Sequence, residues 1–300
     1  MSRRGPVGLG VPVLVAALLL GGCGTSRSGD LGPAPTAPPT SAAPTDRPGP
    51  LPTLATEPTP PPPTGRSPRP SATAPSPTRR PDPVTIELWY VRAGLLVPTR
   101  RTRPATVATS RLALTELATG PNRAEAATGM TTLLPASVEV TRIADGVATL
   151  RVPSVGDPVT RRLRDAQVVW TLTQFPTVRQ VRLDDAAPVD RSDYADLLPP
   201  IVVTGPIPGE RVSAPLVVTG TATVFEATVS VRVLDAAGRE VATGFGTASC
   251  GSGCRGGYRV VVGWRTVGEQ RGTVEVYEVS ALDGARINTM AVPVVLTASD

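Results

Sequence analysis

Hydrophobic residues are distributed along this chain in three regimes. A short apolar run, Val13–Leu20, follows Arg3 and Arg4. Residues 24–83 then carry almost no large apolar side chains. From Val84 onward, apolar and β-branched positions recur at the periods of secondary structure. In the first part of that region, Val84, Ile86, Leu88 and Tyr90 alternate with Thr85, Glu87 and Trp89, which predicts a strand. Gly94 turns the chain, and residues 95–101 return as a second strand. A helix follows, capped by Thr109 or Ser110, with Leu114, Leu117 and Ala118 on one face and Gly120-Pro121-Asn122 at its end. Residues 138–143 and 147–152 form a hairpin turning at Asp145-Gly146.

A second helix has a clear start. Asp157 is a good N-cap, and Pro158 falls at the first helical position, where its missing N–H costs nothing. Val159, Leu163, Ala166 and Trp170 make an apolar stripe, and Pro176 follows the helix. Val178, Val181 and Leu183 predict a closing strand. Residues 84–190 therefore read as an α+β domain of order β-β-α-β-β-α-β, with both helices on one sheet face. Leu198-Pro199-Pro200 marks a boundary. Across 198–298 about seven short β-branched runs recur with turns at Gly238, Gly268 and Asp283-Gly284, and no helical period intervenes. That pattern predicts an all-β sandwich of immunoglobulin type.

The middle regime cannot build a core. Residues 24–83 hold 19 of the 35 prolines, with Ser, Thr and Ala making up much of the rest. Too little apolar surface is available to offset ordering entropy, so a disordered, semi-rigid stalk is expected over 23–83. At about 3.1 Å per residue its upper reach is roughly 190 Å. The run before it is too short for an ordinary membrane span. Leu20-Gly21-Gly22-Cys23 resembles the cleavage site of bacterial lipoprotein signals. The resemblance implies a signal peptide over 1–22, lipidation of Cys23, and an extracytoplasmic protein anchored in the cell membrane through that lipid.

Composition narrows the chemistry. The chain has no histidine, which excludes Ser-His-Asp and Cys-His catalysis and histidine metal ligation. All 30 basic residues are Arg, but residues 84–300 balance 22 of them against 21 acids. The folded part is nearly neutral and lacks a nucleic-acid footprint. With Cys23 lipidated, Cys250 and Cys254 remain as an even pair in Cys250-Gly251-Ser252-Gly253-Cys254. Outside the cytoplasm a disulfide is expected, pinning a loop rather than supporting the domain. No metal site and no cofactor are expected.

The first folded segment resembles the sporulation and germination domain family called GerMN. The carriers are Leu114-Thr115-Glu116-Leu117-Ala118-Thr119-Gly120-Pro121, then Glu125, Gly129, Thr131-Thr132 and Pro135. Ala166-Gln167-Val168-Val169-Trp170-Thr171-Leu172-Thr173-Gln174-Phe175-Pro176, with Val178 and Val181, belongs to the same likeness. The family's usual closing Asp-Gly is replaced by Asp184-Asp185-Ala186. The second segment resembles Gmad2, the immunoglobulin-like module of bacterial spore germination proteins. Ile201, Pro206, Val212, Pro215–Gly220, Val224-Phe225-Glu226-Ala227, Thr247-Ala248-Ser249 and Glu278–Gly284 carry that likeness.

Two stretches are candidate sites. Gly120, Pro121, Glu125, Thr131 and Thr132 form a candidate binding loop. Glu125 either anchors it by accepting backbone N–H bonds or is presented with the two threonines to a partner. Gln167 reads as a buried amide bonded to backbone. Phe225-Glu226 reads either as a recognition tip or as a core Phe beside a local acceptor. Glu226 and Glu278 are a further candidate, a carboxylate pair for glycoside cleavage, for which the sequence gives no separation. The reading that unites these features is a non-catalytic, lipid-anchored scaffold that binds an envelope protein or cell-wall polymer. The alternatives are a peptidoglycan-acting enzyme or its accessory subunit, and a small-ligand sensor.

Overall fold

The computed structural model describes residues 82–153, 156–265 and 268–298. The apolar run, Cys23 and the Pro-rich segment lie outside the described residues. The first domain runs β1 (Val84–Arg92), β2 (Leu95–Arg103), α1 (Thr109–Thr119), α2 (Arg123–Ala126), β3 (Glu139–Ala144), β4 (Val147–Arg151), α3 (Pro158–Leu172) and β5 (Gln180–Leu183). The expected order is present, with the one-turn helix α2 added. Asp157 caps α3 by accepting from the N–H groups of Val159 and Thr160. The β3–β4 turn places Asp145 and Gly146 both at positive φ, the type I′ geometry that hairpin twist favours. Helix α1 departs from expectation at its start: it begins at Thr109, and neither Thr109 nor Ser110 caps it.

The expected single sheet is divided. β1 and β2 form one antiparallel hairpin, while β3-β4-β5 forms a separate sheet with β4 and β5 parallel. The cause is the free edge of β1, where a third strand would pair. Helix α3 occupies that edge and satisfies it with side chains. Gln174 accepts from the Glu87 N–H at 2.7 Å and donates to the Glu87 carbonyl at 2.7 Å. Thr171 accepts from the Trp89 N–H at 3.1 Å, and Gln167 donates to the Trp89 carbonyl at 2.9 Å. Gln167 and Thr171 fall on one face of α3 and Gln174 follows in the turn beyond its end, so a row of polar side chains does the work of a neighbouring strand. Val91 completes the edge by exchanging two backbone hydrogen bonds with Thr131.

The buried face of α3 follows from this. Leu163, Ala166, Val168, Val169 and Leu172 enter the core, Trp170 is half-buried, and Val159 is 69% exposed. The apolar stripe read from the sequence thus fails at its first member. Val159 lies in the first turn of α3.

The second domain contains β6 (Ile201–Gly205), β7 (Arg211–Val212), β8 (Leu216–Ala222), β9 (Thr228–Leu234), β10 (Glu240–Thr247), β11 (Gly256–Val262), β12 (Gln270–Val279) and β13 (Arg286–Leu296). Two sheets, β10-β9-β12-β13-β7 and β11-β8-β6, enclose a valine-rich core. Val229, Val231 and Val233 alternate inward along β9 with polar neighbours outward. Both domains lie in one compact unit.

Strand β6 joins them by burying both of its faces. Ile201 and Val203 belong to the sandwich core, whereas Val202 between them belongs to the core of the first domain. Met290 of β13 packs against both cores. Within the sheet β11-β8-β6, the Tyr258 hydroxyl reaches over β8 to donate to the Val202 carbonyl at 3.1 Å. Gly220 makes that crossing possible, since a Cβ there would lie 1.9 Å from the same carbonyl oxygen. Arg255 holds the preceding linker by donating to the Pro199 carbonyl at 2.7 Å.

Candidate functional site

The loop between α1 and β3 gathers the residues singled out in sequence and turns them inward. Asn122 and Glu125 form a reciprocal capping box around α2. The Glu125 carboxylate is 0% exposed. It accepts from Thr99 Oγ1, from both terminal nitrogens of Arg101 and from the Asn122 N–H. Burial opposes its ionisation, but the bonds from Arg101, Thr99 and Asn122 together win and hold its pKa below the usual glutamate value. Thr131 is committed to the backbone bridge with Val91. Gly120, at φ +89, ends α1 close to the methyl of Thr132, and Pro121 follows half-buried. These residues are brought together, with Glu125 as an anchor joining α2 to β2. Gln167 likewise spends its amide on the Trp89 carbonyl and the Leu133 N–H.

A different arrangement occupies one end of the sandwich. The turn after β8 holds Phe225 at 52% exposure, which overturns its placement in the core. Glu226 and Ala227 follow at φ +52 and +57, a region that L-residues enter only when their surroundings enforce it. Three features enforce it here. A bulge in β12 between Val276 and Glu278 turns Glu278 under the loop, where its carboxylate accepts from the Phe225 N–H at 2.8 Å. Its other oxygen accepts from Asn288 Nδ2 at 2.7 Å, and Asn288 is itself at positive φ. From the other side, the loop closed by the Cys250–Cys254 disulfide sets Gly251 against the Ala227 backbone. Ala248 donates to the Ala227 carbonyl at 2.8 Å.

The result is an exposed aromatic on a fixed support. Val279, which follows Glu278, and Ile287, the register partner of Glu278 on β13, are 47% and 41% exposed, and Leu282 in the adjoining hairpin turn is 94% exposed. Exposed apolar groups on an ordered loop and hairpin are candidates for a contact surface. Glu278 serves as the local acceptor, and its carboxylate is spent on the loop. The positive φ at 226–227 and the β12 bulge leave no pattern that a single sequence reveals. The Glu278 stretch was legible only as part of a likeness.

A third feature is a cleft of about 370 Å³ in the first domain, lined by Arg161, Arg164, Asp165, Asp184, Asp185 and Tyr194, among others. Burial raises the Asp165 pKa above the usual aspartate value, although Arg164 donates to it at 3.1 and 3.2 Å. Burial also pushes the Tyr194 phenol up to about 12. Asp184 is engaged with the Val152 N–H at 3.0 Å. Among the described residues, no three Cys, Asp or Glu side chains converge as a metal site.

Two family models match separate parts of the chain. Residues 82–184 match the family model for sporulation and spore germination, called Germane. Residues 200–285 match the model for the immunoglobulin-like domain of bacterial spore germination, Gmad2. No curated protein matches. Among solved structures, the chain is similar to the tandem GerMN domains of the sporulation protein GerM from Bacillus subtilis. The identity is 15% and the TM-score 0.32, over 72% of this chain and 61% of that one. It is also similar to the CssB subunit of enterotoxigenic Escherichia coli colonization factor CS6, complemented with a donor strand from CssA. There the identity is 15% and the TM-score 0.15, over 31% of this chain and 94% of that one.

Proposed function

We propose that this protein is a lipid-anchored, non-catalytic scaffold of the cell envelope in a sporulation- or germination-type process, and that it offers the Phe225 tip to a protein partner. The observation that carries this reading is the tip itself. Phe225 is exposed, yet its backbone is fixed by Glu278 and backed by the disulfide loop. A rigid aromatic loses little entropy on contact and is favoured at the energetic centres of interfaces. Cys23 supplies the anchor and residues 24–83 the spacing. The strand β6 shared by both cores keeps the two domains in one orientation, which suits a scaffold.

Photo-crosslinking in cells tests this. A photoreactive residue at position 225 is expected to trap one recurring envelope protein, and one at exposed Val261 on β11 is expected not to. The same partner from both positions, or none from either, overturns the tip. Separately, Cys23→Ser is expected to release the protein from the membrane fraction; its retention there rejects the anchor.

The enzymatic alternative has one observation in its favour, the cleft with the raised Asp165 carboxyl beside Asp184. Release of peptidoglycan fragments by the purified chain, abolished by Asp165→Asn, would favour it over the scaffold.

A further inference from the structure

The sheet β3-β4-β5 has one face under the helices and one face open. Ala148, Leu150, Val181 and Leu183 are buried beneath it. Register fixes what lies on the other side. Arg142 of β3 pairs with Thr149 of β4, and Thr149 pairs with Arg182 of β5, so the three share one row on the open face. The next row toward the hairpin is Ala144, Val147 and Gln180. On the far side Arg151 lies opposite Glu139. A recess of about 160 Å³ runs between Arg142 and Arg182 over Ala144, Val147 and Thr149, with Asp145 at its edge. Arg179 stands at the hairpin end, donating to the Asp145 carbonyl at 2.9 Å.

Four arginines thus surround this face against two acids, Glu139 and Asp145. All four are exposed, and among the described residues none is within 4.0 Å of a carboxylate. Most other arginines of the first domain are spent. Arg101 is tied to Glu125, Arg103 to Glu116, Arg162 to Asp196 and Arg164 to Asp165. Charge concentrated on one open face, in a chain whose folded part is nearly neutral, is the feature that asks for a ligand.

We infer that this face binds a linear phosphodiester polymer, laid in the recess with successive phosphates met by Arg142 and Arg182. Guanidinium forks match phosphate oxygens in paired, charge-assisted hydrogen bonds. Arg142 and Arg182 lie on strands either side of β4, about 10 Å apart at the backbone. Arg151 lies about 7 Å further along β4 than Thr149. The cations therefore form a track rather than a single pocket, which suits a repeating anion over an isolated one. The recessed floor favours a chain that can enter between the arginines over a flat bilayer that would rest on their tips. The inference concerns a different domain from the Phe225 tip and stands or falls without it.

The test uses the full chain carrying Cys23→Ser, titrated with poly(glycerol phosphate), with neutral dextran and with phosphatidylglycerol vesicles. Binding to poly(glycerol phosphate) is expected, weakening steeply with salt as counterions are released. The pair Arg142→Glu and Arg182→Glu together should weaken it by about tenfold or more, with an unchanged unfolding midpoint because both side chains are exposed. Arg271→Glu, an exposed arginine of the second domain, should leave it intact. Absence of binding by the unmutated chain overturns the proposal, as does full binding by the double variant. An equal loss from Arg271→Glu would reduce the effect to net charge and reject the site. Preference for the vesicles, or equal binding of dextran, would reject the phosphodiester polymer as the occupant.

Discussion

Two buried carboxylates, Glu125 and Glu278, hold loops in the two domains and produce opposite surfaces. Glu125 draws its loop inward. It accepts four hydrogen bonds, two of them from one guanidinium, and the residues around it end in backbone bridges and core. Glu278 pushes its loop outward. Two donors, the Phe225 N–H and the Asn288 amide, are enough to fix a strained turn whose side chains face solvent. A buried acid therefore does not by itself mark a site. What separates the two is whether the group it orders is spent within the fold or left available.

The comparison can be broken most forcefully at Glu125. Glu125→Gln removes the partner of a nearly buried Arg101, and losing one member of such a pair costs about 3 kcal/mol. The pH dependence follows from the depressed pKa of Glu125. A carboxylate with a lowered folded pKa contributes stability above its unfolded pKa, about 4.3, and loses it as pH falls through the folded value. Urea midpoints of the two chains should therefore differ widely at neutral pH and converge in acid. A difference that persists once the folded-state carboxyl is itself protonated would mean that shape rather than charge is at stake.

Next in size is Gln167→Leu. It leaves the Trp89 carbonyl and the Leu133 N–H buried without their partner, for about 2 kcal/mol. Amide exchange should sharpen the result. If the row of polar side chains replaces a strand, the N–H of Trp89, whose own acceptor is Thr171, should lose protection together with that of Leu133. Unchanged protection at Trp89 would show that the three side chains act separately.

Much of this fold was legible because local signals and packing agree. Asp157 followed by Pro158, and Asp145-Gly146 between apolar runs, fix backbone geometry within a few residues, and both occur as read. The alternation of β9 needs only period two. The division of the first sheet was not legible, because Gln167, Thr171 and Gln174 look like ordinary polar positions of a helix and the turn that follows it. Their role exists only once β1 lies beside them. Helix α2 carried a signal that could have found it: Asn122 with Glu125 three residues on is a capping-box spacing, hidden behind a Gly-Pro that reads as a stop. The core reading of Phe225 rests on the general rule that aromatics fill cores, which fails where a strained turn is held from below. The arginine face lay in plain sight as composition, but only strand register puts Arg142 and Arg182 in one row.

Smaller effects belong to the outward-facing loop. Glu278→Gln keeps one acceptor oxygen and sets an amide NH₂ against one of two existing donors, the Phe225 N–H or the Asn288 amide. A loss of about 1 kcal/mol is expected, with protease cleavage near 225–227 rising more than global unfolding. Equal increases in both would place Glu278 in the cooperative core and weaken the contrast with Glu125.

The smallest stability effect is the most informative about function. Phe225 is half exposed, so Phe225→Ser removes little packing and should change stability by no more than about 0.5 kcal/mol. If the tip is a contact, the same substitution should abolish the crosslink formed from a photoreactive group at the flanking position Glu226. A polar side chain in place of a rigid aromatic forfeits most of what such an anchor contributes. The pairing of the two readouts decides the matter. Lost crosslinking at preserved stability places Phe225 in the interface. A stability loss of about 2 kcal/mol or more would instead show that the ring covers the Glu278 network, leaving the tip a lid over its own support.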